Sequence, residues 1–140
     1  MKTYETFARD LDRLLGGEQA VRITVSGYMP LSIEAIGRSA DGGTLIALSH
    51  TAIQNGDLMR DPEIVFEIRT ATGVRTAEPL SFRNDFTGTN QEVYRYSPQG
   101  HRTHLVPSLK SELRSFARMW FRNLRAQGFF GKEAVREPLA

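Results

Sequence analysis

Asn55-Gly56-Asp57-Leu58-Met59-Arg60-Asp61-Pro62-Glu63-Ile64-Val65-Phe66-Glu67-Ile68-Arg69 packs a turn signal, four acids and the clearest strand of the chain into fifteen residues. Asn and Gly both tolerate positive φ, and Pro62 keeps Asp61 out of the helical region, which predicts a shaped loop over 55–62. From Glu63 the apolar residues Ile64, Phe66 and Ile68 alternate with Glu63, Glu67 and Arg69. That period of two predicts a half-buried antiparallel strand with Glu67 facing solvent.

Working outward, Asp41-Gly42-Gly43 is a turn and Thr44 to Thr51 reads as a central strand. Thr72-Gly73 predicts a tight hairpin into Val74 to Phe82, followed by a loop over Asn84 to Asn90, an edge strand over Gln91 to Tyr96 and a loop over Ser97 to Pro107. Upstream, Val21, Ile23 and Val25 and then Leu31, Ile33 and Ala35 alternate with polar residues. Gly27 and Pro30 between them make this one bent or interrupted strand.

Helices flank these strands. Tyr4, Phe7, Ala8, Leu11, Leu14 and Leu15 fall at helical spacing over Thr3 to Leu15, with Thr3 as N-cap and Gly16-Gly17 as stop. Over Ser108 to Gln127, Leu109, Leu113, Phe116, Ala117, Trp120 and Leu124 share an arc of about 100°, and Gly128 ends the helix. The class is α+β: an antiparallel β-meander of about five strands with an N-terminal and a long C-terminal helix packed on it. Residues 1–130 form one domain, and 131–140 are a flexible tail that frays or crosses to a partner.

The 140 residues are 40% hydrophobic and 24% charged, ordinary for a globular chain. With no cysteine there is no disulfide, thiolate metal site or cysteine nucleophile. No signal-like run follows Met1 and no segment is long enough to span a bilayer, so a cytoplasmic protein is expected. The net charge of +2 hides an uneven distribution. From Asp41 to Glu67 only Arg60 offsets five acids, whereas from His101 to Arg125 six cations meet only Glu112.

Lys110, Arg114, Arg118, Arg122 and Arg125 recur along one arc of the second helix, opposite the apolar stripe and without an acid at i±4. Such a row binds phosphates or an acidic protein, or else is a solvated face or pairs with the chain's own acids. Trp120 and Phe116 lie on the buried arc, which opposes stacking on single-stranded nucleic acid. Asp57 with Glu67-Ile68-Arg69 loosely resembles the acid and acid-x-lysine set of magnesium-dependent nucleases, but arginine is a poor proton-transfer group. His101 and His104 form a thin case for zinc, and His50 reads as a structural imidazole whose neighbour Ser49 faces the other way. No catalytic set, metal site or cofactor is assigned.

Ser49-His50, Gln54-Asn55-Gly56-Asp57-Leu58-Met59-Arg60-Asp61-Pro62-Glu63 and Phe66-Glu67 resemble the signature of an uncharacterised bacterial domain family found among accessory genes of plasmids, integrated elements and phages. Glu78 to Phe82, Asn84-Asp85-Phe86 with Gly88, Gln91 to Tyr94, and Trp120, Leu124 and Gln127 to Phe129 extend the resemblance over about Gly27 to Phe129. Ile53 stands where that family often has an aromatic. With no established activity in the family, the resemblance transfers no catalytic residue and implies a mobile-element setting.

These readings converge on an accessory protein that acts by binding. The first choice is a protein partner, met by Asn55, Gly56, Asp57, Arg60, Asp61, Asn84 and Asp85 of the two loops and by the basic helix face; a homodimer is compatible. The alternative is nucleic acid on Lys110, Arg114, Arg118, Arg122 and Arg125, and a magnesium-dependent nuclease on Asp57 and Glu67 is a third reading.

Overall fold

In the computed structural model, which describes residues 2–139, the alternation read from Glu63 belongs to the longest strand of an antiparallel sheet. The elements in order are α1 (Lys2–Leu15), β1 (Ala20–Thr24), β2 (Leu31–Arg38), β3 (Thr44–Gln54), β4 (Asp57–Ala71), β5 (Val74–Asn84), β6 (Thr89–Glu92), β7 (Tyr94–Tyr96), β8 (Arg102–Leu105), α2 (Pro107–Gln127) and β9 (Val135–Pro138). Seven strands form one sheet in the order β6-β5-β4-β3-β2-β1-β9, and β7 pairs with β8 in a separate ribbon. The α+β class and the two helices stand as expected. The sheet is larger than five strands, for reasons that differ from place to place.

At 55–62 the expected loop shrinks to two residues. Asn55 and Gly56 both take positive φ (52° and 83°), the conformation that a two-residue hairpin turn of right-handed twist requires. Asp57 therefore opens β4 opposite Gln54, and Leu58 pairs with Ile53. Thr72 and Gly73 repeat the arrangement (50° and 77°) between β4 and β5, as the sequence indicates. The bent strand expected over 21–35 is instead a hairpin, with Val21 paired to Ile33 and Ile23 to Leu31. Gly27 and Pro30 mark its connection.

The expected edge strand at 91–96 divides at Val93 between β6 and β7, and part of the loop after it forms β8. Residues 135–138, read as part of a flexible tail, pair with β1 as β9. Thr3 lies inside α1 and does not cap it.

One face of the sheet carries the main core. Cross-strand pairs Ile46–Phe66, Leu48–Ile64 and Ile33–Leu48 place their side chains under α1 and α2, where Phe7, Phe66 and Phe121 meet with ring centroids 5.4 to 6.0 Å apart. On α2 the buried residues are Leu113, Ala117, Trp120, Phe121 and Leu124. Phe121 thus takes a core position that the apolar arc omitted, while Leu109 and Phe116 are only half-buried. Gly128 ends the helix at φ 94°, where its N–H and that of Phe129 satisfy the last-turn carbonyls of Arg125 and Leu124.

Because Phe121 fills the centre and Phe116 its margin, Phe121→Ala is expected to cost about 3–5 kcal/mol and Phe116→Ala clearly less. Urea unfolding of the two variants beside the parent measures both. Equal losses would contradict this placement of the helix.

Candidate functional site

The two segments expected to be contact loops do come together, but as a braced pair of hairpins. Asp85 N–H donates to the Arg60 carbonyl at 2.9 Å, and Arg60 N–H donates to Asp85 Oδ2 at 2.8 Å. Asn84 Nδ2 donates to Asp61 Oδ1 at 2.5 Å, while Asn84 Oδ1 accepts from the N–H groups of Phe86 and Thr87. The Arg60 N–H and then the Arg83 guanidinium hold Asp85 below the usual carboxylate range. Glu63 takes the Arg60 guanidinium at 3.1 Å. Arg60, Asp61, Asn84 and Asp85 thus spend their hydrogen bonds fixing β4 against the β5–β6 turn. Asn55, Gly56 and Asp57 stay exposed at the hairpin tip, and no ion pair involves Asp57 among the described residues.

Asp57 and Glu67 stand ten residues apart on one strand, about 30 Å at the usual rise. They cannot share an ion, which removes the magnesium-dependent nuclease reading. Among the described residues no group of three His, Asp or Glu side chains is placed to hold a metal.

Glu67 is also not the solvent-facing residue that the alternation suggests. Its side chain has no solvent exposure and takes Arg69 Nε at 2.9 Å and Arg102 Nη2 at 2.6 Å. Burial alone would raise its pKa, but hydrogen bonds from Arg69, Ser39 and Arg102 outweigh that and lower it. Asp41 joins the group through Arg69 at 2.9 Å. Gly43 makes room for the carboxylate: a Cβ there would lie 2.8 Å from Glu67 Cγ and 2.9 Å from the Ile68 carbonyl.

Glu78 is the cross-strand neighbour of Glu67, a like-charged pairing that destabilises unless cations intervene. Here they do. Arg102 lies 4.0 Å over the Tyr94 ring, Tyr94 donates its phenol proton to Glu78, and Lys110 Nζ reaches Glu78 Oε2 at 3.4 Å. Burial and then the bond to Glu78 raise the Tyr94 pKa, so the phenol keeps its proton. Sequence reading missed this cluster; its one local signal is Glu67-x-Arg69, two residues apart on the same strand face.

The basic row of α2 is divided by these contacts. Lys110 is held by Glu78 and Tyr94, and Arg114 lies near Tyr4, whose pKa burial and then Glu78 raise against the opposing charges of Lys110 and Arg114. Arg125 pairs with the buried Asp10 and stacks on Phe130 at 4.8 Å. Arg118 and Arg122 are exposed, and neither makes an ion pair among the described residues. Arg118 borders a groove of about 310 Å³ between the helices, floored by Phe7 and Phe121 and rimmed by Lys2, Arg9 and Arg125. Asp10 is its one acid, raised in pKa by burial and lowered by Arg125, with burial prevailing.

His50 is enclosed. Its ring lies 5.6 Å from Trp120 and 5.5 Å from Phe129, and Nδ1 bonds the Met29 carbonyl at 3.1 Å. Burial lowers its pKa against the bonds to Met29 and Pro30 and the charge of Asp61. Ser49 next to it is buried on the opposite face of β3.

Compared with known proteins, the chain matches a family described as a domain of unknown function (DUF6908) over residues 2–130, and it belongs to that family. The match ends where the packed chain gives way to the segment leading into β9. No curated protein and no solved structure matches the chain.

Glu67→Gln leaves two guanidinium groups facing a neutral amide and is expected to cost about 3 kcal/mol in denaturant unfolding. A loss under about 1 kcal/mol would mean that the cluster contributes little. His50 sets a pH dependence. The unfolded imidazole titrates near 6.5 and the folded one lower, so between those values the unfolded chain holds the extra proton. Its contribution is complete above the unfolded pKa and is lost as the pH falls toward the folded pKa, by at most about 1.4 kcal/mol per pH unit. Thermal unfolding from pH 7.5 to 5.5 should show a slope that His50→Gln reduces.

Proposed function

We propose that this DUF6908 member is a non-enzymatic accessory protein of bacterial mobile elements that works by binding an acidic surface of another protein. The observation that carries this reading is the division of the charges. Asp10, Asp41, Glu63, Glu67, Glu78 and Asp85 are each bound to cations of the chain, whereas Arg118 stands exposed beside the groove between α1 and α2 and Arg122 is exposed one turn further along α2. Met119 lies exposed next to Arg118, and methionine with arginine is a combination enriched in protein interfaces. The setting in mobile elements rests on the resemblance of the Gln54 to Glu63 motif.

The geometry favours a protein over a single nucleic-acid strand. Phe7 and Phe121 floor the groove but are each only 2% exposed, so the groove offers no ring to a base. Duplex nucleic acid contacted through phosphates is the second reading, with the same cations as its support. Both fit an electrostatic contact, and salt dependence separates them by partner.

Affinity capture with the parent chain should enrich a partner that Arg118→Glu with Arg122→Glu loses, and binding of that purified partner should weaken by at least about tenfold. Fluorescence anisotropy with duplex DNA at low salt is the parallel measurement. A log affinity falling with log salt by about 0.9 per phosphate contact would favour the second reading. If the charge-reversed chain retained every partner, this face would not be the contact.

A further inference from the structure

The last large side chains packed on the core are Phe129 and Phe130, with only the small Ala134 half-buried against it beyond them. Phe129 is fully buried, and the Phe130 ring lies between the guanidinium groups of Arg13 and Arg125, 5.1 and 4.8 Å from its centroid. After them the character of the chain changes. Gly131, Lys132 and Glu133 are exposed, and so are all four residues of β9.

What holds β9 is therefore mainly the backbone and the Arg136 side chain, with the small Ala134 packed just before it. Its register pairs run from Thr24–Val135 to Val21–Pro138, and Leu139 N–H donates to the Ala20 carbonyl at 2.8 Å. Arg136 donates to the Leu14 carbonyl, in the last turn of α1, where cations are favoured by the helix dipole. Its seat is fitted, because a Cβ on Gly16 would come within 2.9 Å of Nη2. Arg22 and Glu137 add a loose exposed pair at 3.9 Å.

Such a strand can leave while Phe129 and Phe130 stay packed. Departure would open the β1 edge and bare the Leu14 carbonyl on one side, and free an extended segment bearing arginine on the other. An open sheet edge is a template for another strand. The segment that fits this edge and this arginine seat is already known, since it is the chain's own.

We propose that β9 is an exchangeable strand and that the β1 edge of one copy takes Val135–Pro138 of a second copy, with residues 131–134 as the hinge. Two opened copies satisfy each other reciprocally, giving a closed two-fold dimer in which each partner's Arg136 caps the other's α1.

The chain has no cysteine, so a pair of single substitutions tests this cleanly. Arg22→Cys in one preparation and Glu137→Cys in another replace exposed residues that face each other across β1 and β9. Mixed at rising protein concentration and oxidised gently, the two should form a disulfide-linked heterodimer joined through positions 22 and 137, identified by mass spectrometry. Adding Arg136→Glu to the second chain should reduce its yield several-fold. The control pairs Arg22→Cys with Asp57→Cys, an exposed site at the far hairpin tip. A 22–137 yield no greater than this control at every concentration would overturn the proposal. So would light scattering that finds only monomer across the same range, with a chain carrying both cysteines cross-linking solely within itself.

Discussion

A carboxylate shut away from water between two guanidinium groups organises the outer face of this sheet. Taking Glu67 out of solvent is costly, and the cost is offset only where hydrogen bonds and opposite charge surround the group. Arg69 comes from the same strand, Arg102 from β8 and Asp41 from the turn before β3, so the demand of one buried charge ties three separate pieces of chain together. Gly43 belongs to the same constraint, because any side chain there would occupy the volume of the carboxylate. Through the ring of Tyr94 the constraint reaches Glu78 and Lys110, and with them the first turns of α2.

This arrangement determines where charge is left over. The chain has nearly balanced acids and bases, yet Asp10, Glu67, Glu78 and Asp85 are taken up by cations of the chain while Arg118 and Arg122 of α2 remain outside. The local basic character of this part of α2 arises where particular acids are engaged elsewhere and not from a large net charge. Net charge was for that reason a poor guide to the surface.

Features written in neighbouring residues were legible in the sequence. The period of β4, the Thr72-Gly73 turn and the two helices each follow from rules that span a few residues, and each stands in the structure. Features requiring distant residues were not. Arg102 lies 35 positions from Glu67 and Arg125 lies 115 from Asp10, so no local pattern announces either pair. Phe121 falls outside a narrow arc yet is buried, because α2 is covered on two sides, by the sheet and by Phe7 of α1. β9 was illegible for another reason: all its residues are exposed, so it has no inward and outward alternation to read.

The motif that drew most notice, Gln54 to Glu63, shows how dense polar sequence can be read in the wrong direction. Arg60 and Asp61 read as contacts for a partner, but each meets a protein group that the β5–β6 turn or β4 itself supplies, Glu63 among them. Asn84 alone closes its own turn with one end of its amide and holds Asp61 with the other. A long two-stranded hairpin projecting past its neighbours needs such bracing, since an isolated pair of strands is marginal in water. A dense set of polar residues at such a place can therefore reflect the demands of a protruding hairpin. The groups available to a partner are those that the bracing leaves unused: the turn residues Asn55 and Gly56, the exposed Asp57 and, on α2, Arg118 and Arg122.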